Sequence, residues 1–295
     1  MSTRRRIRAR RSASSLTGAV LAVLAASCGD DLRPHRVLFV RGGAGTGGLG
    51  SGIDAHLSDI HDGSVAAFNT GYGQLAALLR DEGYEVEQVE EGPAGAPVAL
   101  GRLVLSAYQV VVFGSNNAGY GPGDAALVAR YVRGGGGALF ISDGNWGVTF
   151  GAAPTSDQAF LTQFGLTMNQ DGGGLTILSG ADFVEPEHPI LRDVHSIQGE
   201  GVSPCTLTGA ADALARPLRL VAARSPVRRN EGDTGPVTAA TADDASLTVV
   251  EVGRGRVACH FDRNTFFNEG GAGTSLAAAD HRTYARNLFA YLAGR

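Results

Sequence analysis

Residues 108–144 read YQVVVFGSNNAGYGPGDAALVARYVRGGGGALFISDG, and this stretch decides the fold. Tyr108 to Phe113 is a short run of β-branched and aromatic residues, the pattern of a strand buried on both faces. Pro122 then stands where a first helical turn accepts it, and Ala126, Leu127, Ala129 and Val132 are expected to form one apolar face. Gly134 to Gly137 end that helix, and Ala138 to Ile141 is a second short apolar strand. Strand, helix and strand in this order make a crossover unit, which joins parallel strands.

The same alternation extends outward. Arg36 to Val40 reads as a buried strand closed by Gly42-Gly43. After a glycine-rich loop, Asn69-Thr70 are expected to cap a helix over 71–81, which Gly83 stops. Tyr84 to Val89 alternates as a strand, and residues 100–106 look like a short helix. The prediction for 36–142 is a parallel, doubly wound sheet. In such sheets ligands sit beyond the carboxyl ends of the strands, so the loops to watch start at Gly42, Gly114 and Ser142. Beyond residue 150 a helix is expected near 156–164, with short strands near 174–178, 197–202, 218–223, 246–252 and 255–261. A closing helix over 277–293 would pack Leu288, Phe289 and Leu292 inward, and the polar stretch Ser225 to Asp244 is expected to be the most mobile loop.

At the amino end, Arg4, Arg5, Arg6, Arg8, Arg10 and Arg11 precede the apolar run Leu16 to Ala26, which is followed by Ser27-Cys28. A basic head, a short apolar stretch and small residues make a secretory signal. The run is far below the roughly 20 residues that span a bilayer. The expected division is a signal over 1–27, a tether over 28–35 and one domain over 36–295. Small residues directly before Cys28 are similar to the lipobox of bacterial lipoproteins, which implies acylation of Cys28. The membrane partner would then be reached through lipid, and the location would be the cell envelope, at the periplasmic or outer-membrane face. An ordinary cleaved signal with a chance cysteine is the alternative.

Composition narrows the chemistry. The formal charge is −4, and removing the six arginines of the signal, which has no acidic residue, leaves the mature chain at −10. An acidic surface without a basic cluster argues against nucleic acid. The chain contains no lysine, which excludes a P-loop lysine, a Schiff base and a Ser-Lys dyad. Gly43 to Gly48 formally fits a dinucleotide fingerprint, but glycine continues where a helix should open, so no cofactor is expected. With Cys28 set aside, Cys205 and Cys259 are either a disulfide in an oxidising compartment or two buried thiols.

Several segments together resemble the class I glutamine amidotransferase-like superfamily, and most closely its ThuA-like (trehalose-utilisation) branch. They are Tyr108 to Gly114, Tyr131 to Gly137, Ala138 to Gly144, the element Glu187-His188-Pro189-Ile190, and Gly255 to His260 before a terminal helix. The resemblance implies a flavodoxin-like doubly wound, mostly parallel sheet with added short strands in the C-terminal half. In the amidotransferases proper, the turn after the fourth strand reads G-x-C-x-G, and a late H-x-E completes a triad. Here Ser142 falls on the Cys, His260 on the His and Asp262 on the Glu. Thiolate glutaminase chemistry is therefore not expected. Two readings remain: a binding domain without amidotransferase chemistry, or a hydrolase in which Ser142, His260 and Asp262 act as nucleophile, base and orienter.

For the binding reading, the ligand is a small polar molecule or glycan. Gly43 and Gly45 would form the rim, Ser115 and Asn116 the second loop, and Asp143, Asn145 and Trp146 the third. An aromatic face beside amide and carboxylate groups suits a sugar, although Trp146 could equally plug the core. His56 and His61, among Asp54, Asp59 and Asp62, could hold a divalent ion or form a solvated acidic loop; no recognised metal spacing is present. His188 reads as a turn whose imidazole bonds nearby backbone, and Asp280 as the cap of the final helix.

Overall fold

The computed structural model describes residues 35–42, 56–92, 96–116, 118–141, 153–171, 175–200, 205–209, 214–224, 226–229, 237–269 and 274–295. The signal, the tether before His35 and Cys28 lie outside them, as do Gly43, Gly45, Ser142, Asp143, Asn145 and Trp146.

The chain runs β1 (His35–Arg41), α1 (Gly73–Asp81), β2 (Tyr84–Glu90), β3 (Val110–Ser115), α2 (Pro122–Arg133), β4 (Gly137–Ile141) and α3 (Ala153–Thr162). Short strands follow: β5 (Leu166–Met168), β6 (Gln170–Asp171), β7 (Thr176–Ser179), β8 (Ser196–Gly199) and β9 (Cys205–Leu207). Then come β10 (Ala215–Ala222), β11 (Val227–Arg228), β12 (Val237–Thr238), β13 (Asp244–Val252), β14 (Gly255–His260) and α4 (His281–Leu292). The expected helix over 100–106 is two separate 3₁₀ turns, Leu100–Arg102 and Leu105–Ala107.

The main sheet has the order β2-β1-β3-β4-β14-β13-β9-β5, with β10 also paired to β13. The strands from β2 through β14 are parallel, and β13, β9, β5 and β10 add antiparallel pairings. The parallel half has the strand order of flavodoxin-like sheets. Period-two alternation along each strand splits the core in two. Val37, Phe39, Val110, Val112, Leu139 and Ile141 face α1 and α4, where Leu75, Leu79, Leu288 and Phe289 are buried. Leu38, Val40, Val111, Phe113, Ala138 and Phe140 face α2 and α3, with Val128, Val132, Phe160 and Leu161. The result is a sheet wound on both faces, as expected, and residues His35–Arg295 form one compact unit.

Three local expectations change. The inward face of α2 is Ala125, Val128, Ala129 and Val132, one residue out of step with the expected Ala126 and Leu127. The amino end of α1 takes no side-chain cap from Asn69 or Thr70; Asn69 instead binds the amide of Gly71, and Asn268 Oδ1 accepts the amide of Gln74 at 2.7 Å. The polar stretch 225–244 carries β11 and β12, and Arg229 pairs there with Asp244. That pairing, with hydrogen bonds from Thr206 and Thr241, outweighs burial and holds the Asp244 carboxyl down at about 2.

Candidate functional site

The register aligns the carboxyl ends of the parallel strands. Arg41 lies beside Glu90 and Ser115, and Ile141 lies beside His260. Two polar clusters are built on this edge, one beyond β14 and one beyond β2 and β3.

The first cluster contains His260 and Asp262. His260 shares a register position and a sheet face with Ile141, so its ring enters the layer of α4. It is fully buried there, within 4.6 Å of Phe261, 4.9 Å of Phe266 and 5.4 Å of Tyr284, centroid to centroid. Its Nδ1 meets the Tyr284 hydroxyl at 2.9 Å, and its Nε2 has no partner among the described residues. Burial pushes its pKa down to about 3, with His281 acting in the same direction and the Asp262 backbone against it. His260 is therefore a neutral imidazole in an aromatic cage.

Neither nitrogen of that ring is hydrogen-bonded to the Asp262 carboxylate. That carboxylate accepts the amides of Asn264 and Glu200, which caps the 3₁₀ turn Arg263–Phe266 and ties it to the end of β8. The local reason is chemical: a carboxylate directly before a turn has the unsatisfied backbone N–H two residues on within reach, whereas the ring two residues back faces the core. Ser142 lies outside the described residues.

The second cluster begins with Glu91, one residue past β2 and only 3% exposed. It accepts hydrogen bonds from Asn116 Nδ2, the Tyr120 hydroxyl and the Ala118 amide, each at 3.0 Å. Asn116, from the loop expected to bind ligand, is 1% exposed and its Oδ1 has no partner among the described residues. Asp157 on α3 is 2% exposed and its Oδ1 is likewise unpartnered. Burial first, and the Glu91 charge second, push the Asp157 carboxyl well above the usual carboxylate range. Tyr120 is raised by the same two causes.

Sequence reasoning found Asn116 but missed Glu91, Tyr120 and Asp157. The signals were present. Glu91 directly follows the alternating strand at the edge where Asn116 also sits, and Asp157 is a charge three residues before Phe160 on one helix face.

Ser115 ends β3. His56 is exposed and pairs with Asp62, His61 is exposed, and no three His, Cys, Asp or Glu side chains converge to hold a metal among the described residues. His188 Nδ1 accepts the Ile190 amide within its own turn. Asp280 stands at the start of α4 but accepts the amides of His195 and Ser196 rather than capping the helix. His281 clasps two segments, meeting the Ser275 carbonyl through Nδ1 and accepting the Gln198 amide on Nε2. Cys205 and Cys259 form a disulfide. A cleft of about 610 Å³ opens at the opposite, amino edge, lined by Leu103, Tyr108, Arg130 and Tyr131, and contains none of the site residues.

Fold and edge together define an α/β domain with a flavodoxin-like parallel half and buried polar groups at its carboxyl edge. No protein-family model and no curated protein sequence matches the chain. Among solved structures it is similar to one described as the mmIFT52 N-terminal domain, at 11% identity over 87% of this chain and 97% of that one, TM-score 0.55. A ThuA-like protein from Parabacteroides merdae aligns at 14% identity over 88% of this chain and 90% of that one, TM-score 0.49. Another from Bacteroides uniformis aligns at 12% identity over 88% and 91%, TM-score 0.46. At such identities the likeness concerns the fold, and the first alignment together with the strand order carries it.

Proposed function

We propose that this chain is an exported, lipid-anchored domain of the amidotransferase-like kind that binds a small polar molecule, a sugar or envelope glycan, at the carboxyl edge of its parallel strands. The observation behind this choice is what His260 and Asp262 are bonded to. A triad needs an imidazole whose one nitrogen is held by a carboxylate and whose other reaches a nucleophile. Here the hydrogen-bonded nitrogen of His260 belongs to Tyr284, and Asp262 serves two backbone amides. The disulfide leaves neither Cys205 nor Cys259 as a thiolate. The edge keeps buried oxygens of Asn116 and Asp157 that have no partner among the described residues, and these suit recognition of a polar molecule.

Calorimetric titration of the mature domain with neutral monosaccharides and disaccharides tests the reading. Saturable binding that Asn116→Ala weakens about tenfold is the expected result. A broad ester and amide panel is the counter-test. Turnover that Ser142→Ala abolishes, with folding retained, would replace the binding reading with the hydrolase.

A further inference from the structure

Asp157 and Phe160 lie three residues apart on α3 and share one face of the helix. Phe160 is fully buried against Phe113, Tyr120 and Phe140, at ring separations of 4.8, 5.0 and 5.6 Å. That packing seats α3 over the ends of β3 and β4. One turn earlier on the helix, Asp157 is thereby carried toward Tyr120 and within reach of the Glu91 charge. A carboxyl group on an apolar helix face, with no basic partner among the described residues, is costly to bury. Asn116 belongs to the same cluster, since its Nδ2 is given to Glu91 and Tyr120, and its Oδ1 is left over. Two buried oxygens without partners among the described residues are costly unless a ligand completes them.

The chemistry of the cluster narrows what that ligand is. The Glu91 carboxylate already takes three hydrogen bonds, so a metal ion would find few free lone pairs on it. Its charge repels an anion. We propose that Asp157 and Asn116 form a hydroxyl-recognising pair, in which the Asp157 carboxyl proton is donated to a ligand hydroxyl oxygen and Asn116 Oδ1 accepts that hydroxyl's hydrogen. The proposal rests on the binding reading above and names its ligand class, a neutral polyhydroxyl compound. A hydroxyl both accepts and donates at one atom, which is the complement of an acid proton beside an amide oxygen. Burial and the Glu91 charge both favour the protonated form of Asp157, which is the form this donation uses. Among the described residues, the titratable groups that act on Asp157 are Glu91 from the loop after β2 and Tyr120 from the segment before α2. Neither stabilises its anion. Binding is therefore strongest at low pH and is lost as pH rises through the Asp157 pKa.

The test uses the mature domain and neutral hexoses and glucose disaccharides, titrated from mildly acid to alkaline pH. Asn116→Ala and Asp157→Ala are each expected to weaken binding about tenfold. Asp157→Asn keeps a donor, so it should retain affinity while removing the pH dependence. Infrared difference spectra of wild type against Asp157→Asn at neutral pH supply a readout without ligand: the carbonyl stretch of a protonated acid should be present only in the wild type. Circular dichroism checks that each variant is folded, and the near-isosteric Asn variant serves if the Ala variants are not. Saccharide binding unmoved by both Ala variants would overturn the pair and leave the binding domain standing, with ordered water as the occupant of the cluster. An ionised Asp157 at neutral pH would overturn the pair whatever binds. No saccharide binding by wild type at any pH would overturn the binding reading itself.

Discussion

His260 is a histidine that folding forbids to protonate. In the unfolded chain it takes a proton near pH 6.5, whereas in the aromatic cage its pKa is down at about 3. Below pH 6.5 the unfolded state therefore binds the extra proton, and stability falls as pH drops from there toward 3. The full difference amounts to roughly 4–5 kcal/mol at the acid end. His260→Phe keeps an aromatic in the cage and should flatten much of this acid limb in urea unfolding midpoints measured between pH 7 and 4. His281, also lowered by burial, leaves a residual slope. An acid limb that His260→Phe does not alter would show that the ring is not sealed. This residue also marks how far sequence alone reaches. Its place at the end of a late strand was legible. Its role was not, because that depends on Tyr284, which lies 24 residues further along the chain and comes alongside only when α4 packs.

Helix α1 illustrates the same limit for an element. Its existence follows from the apolar spacing of Leu75, Leu78 and Leu79, which a local reading captures. Its cap does not, since Asn268 lies 194 residues from Gln74 in sequence. The same Asn268 amide donates to the Asp62 carbonyl and to Asn69 Oδ1, so one side chain joins the start of α1 to the segment that precedes it. Asn268→Ala is expected to cost about 1–2 kcal/mol, read as a lowered denaturation midpoint with unchanged m-value. The strands that sequence missed, β5, β6, β9, β11 and β12, are two or three residues long. So few residues hold no period, and only their partners make them strands. At β14 the limit is steric. A Cβ on Gly255 would stand 1.8 Å from the Val132 carbonyl oxygen, so the α2–β14 contact has no room for any side chain. Gly255→Ala should cost more than about 3 kcal/mol or prevent folding, and wild-type-like melting of that variant would contradict the packing described.

At the scale of the whole molecule, the doubly wound half was legible because its strands are long and regularly interrupted by helices. The candidate site was legible only as a set of loops, since Glu91 and Asn116 meet where β2 and β3 end, and Asp157 is brought toward them by the packing of α3 and not by any motif. The proposed export has a consequence for the covalent structure. Cys205 and Cys259 lie 54 residues apart and join β9 to β14 on either side of β13. In the chain-entropy model a loop of that size contributes about 4 kcal/mol, which only an oxidising compartment supplies. The domain produced in a reducing cytosol, or treated with dithiothreitol, should therefore melt well below the exported protein, and equal melting would argue against a structural disulfide. The proposed anchor is tested separately. If Cys28 is acylated after cleavage, the exported wild-type protein should partition into the detergent phase on cloud-point separation. Cys28→Ser removes the acylation site, so that variant should stay in the aqueous phase or keep its signal uncleaved. Recovery of the wild type from the aqueous phase, with Ser27 already removed, would show an ordinary signal and a free exported domain.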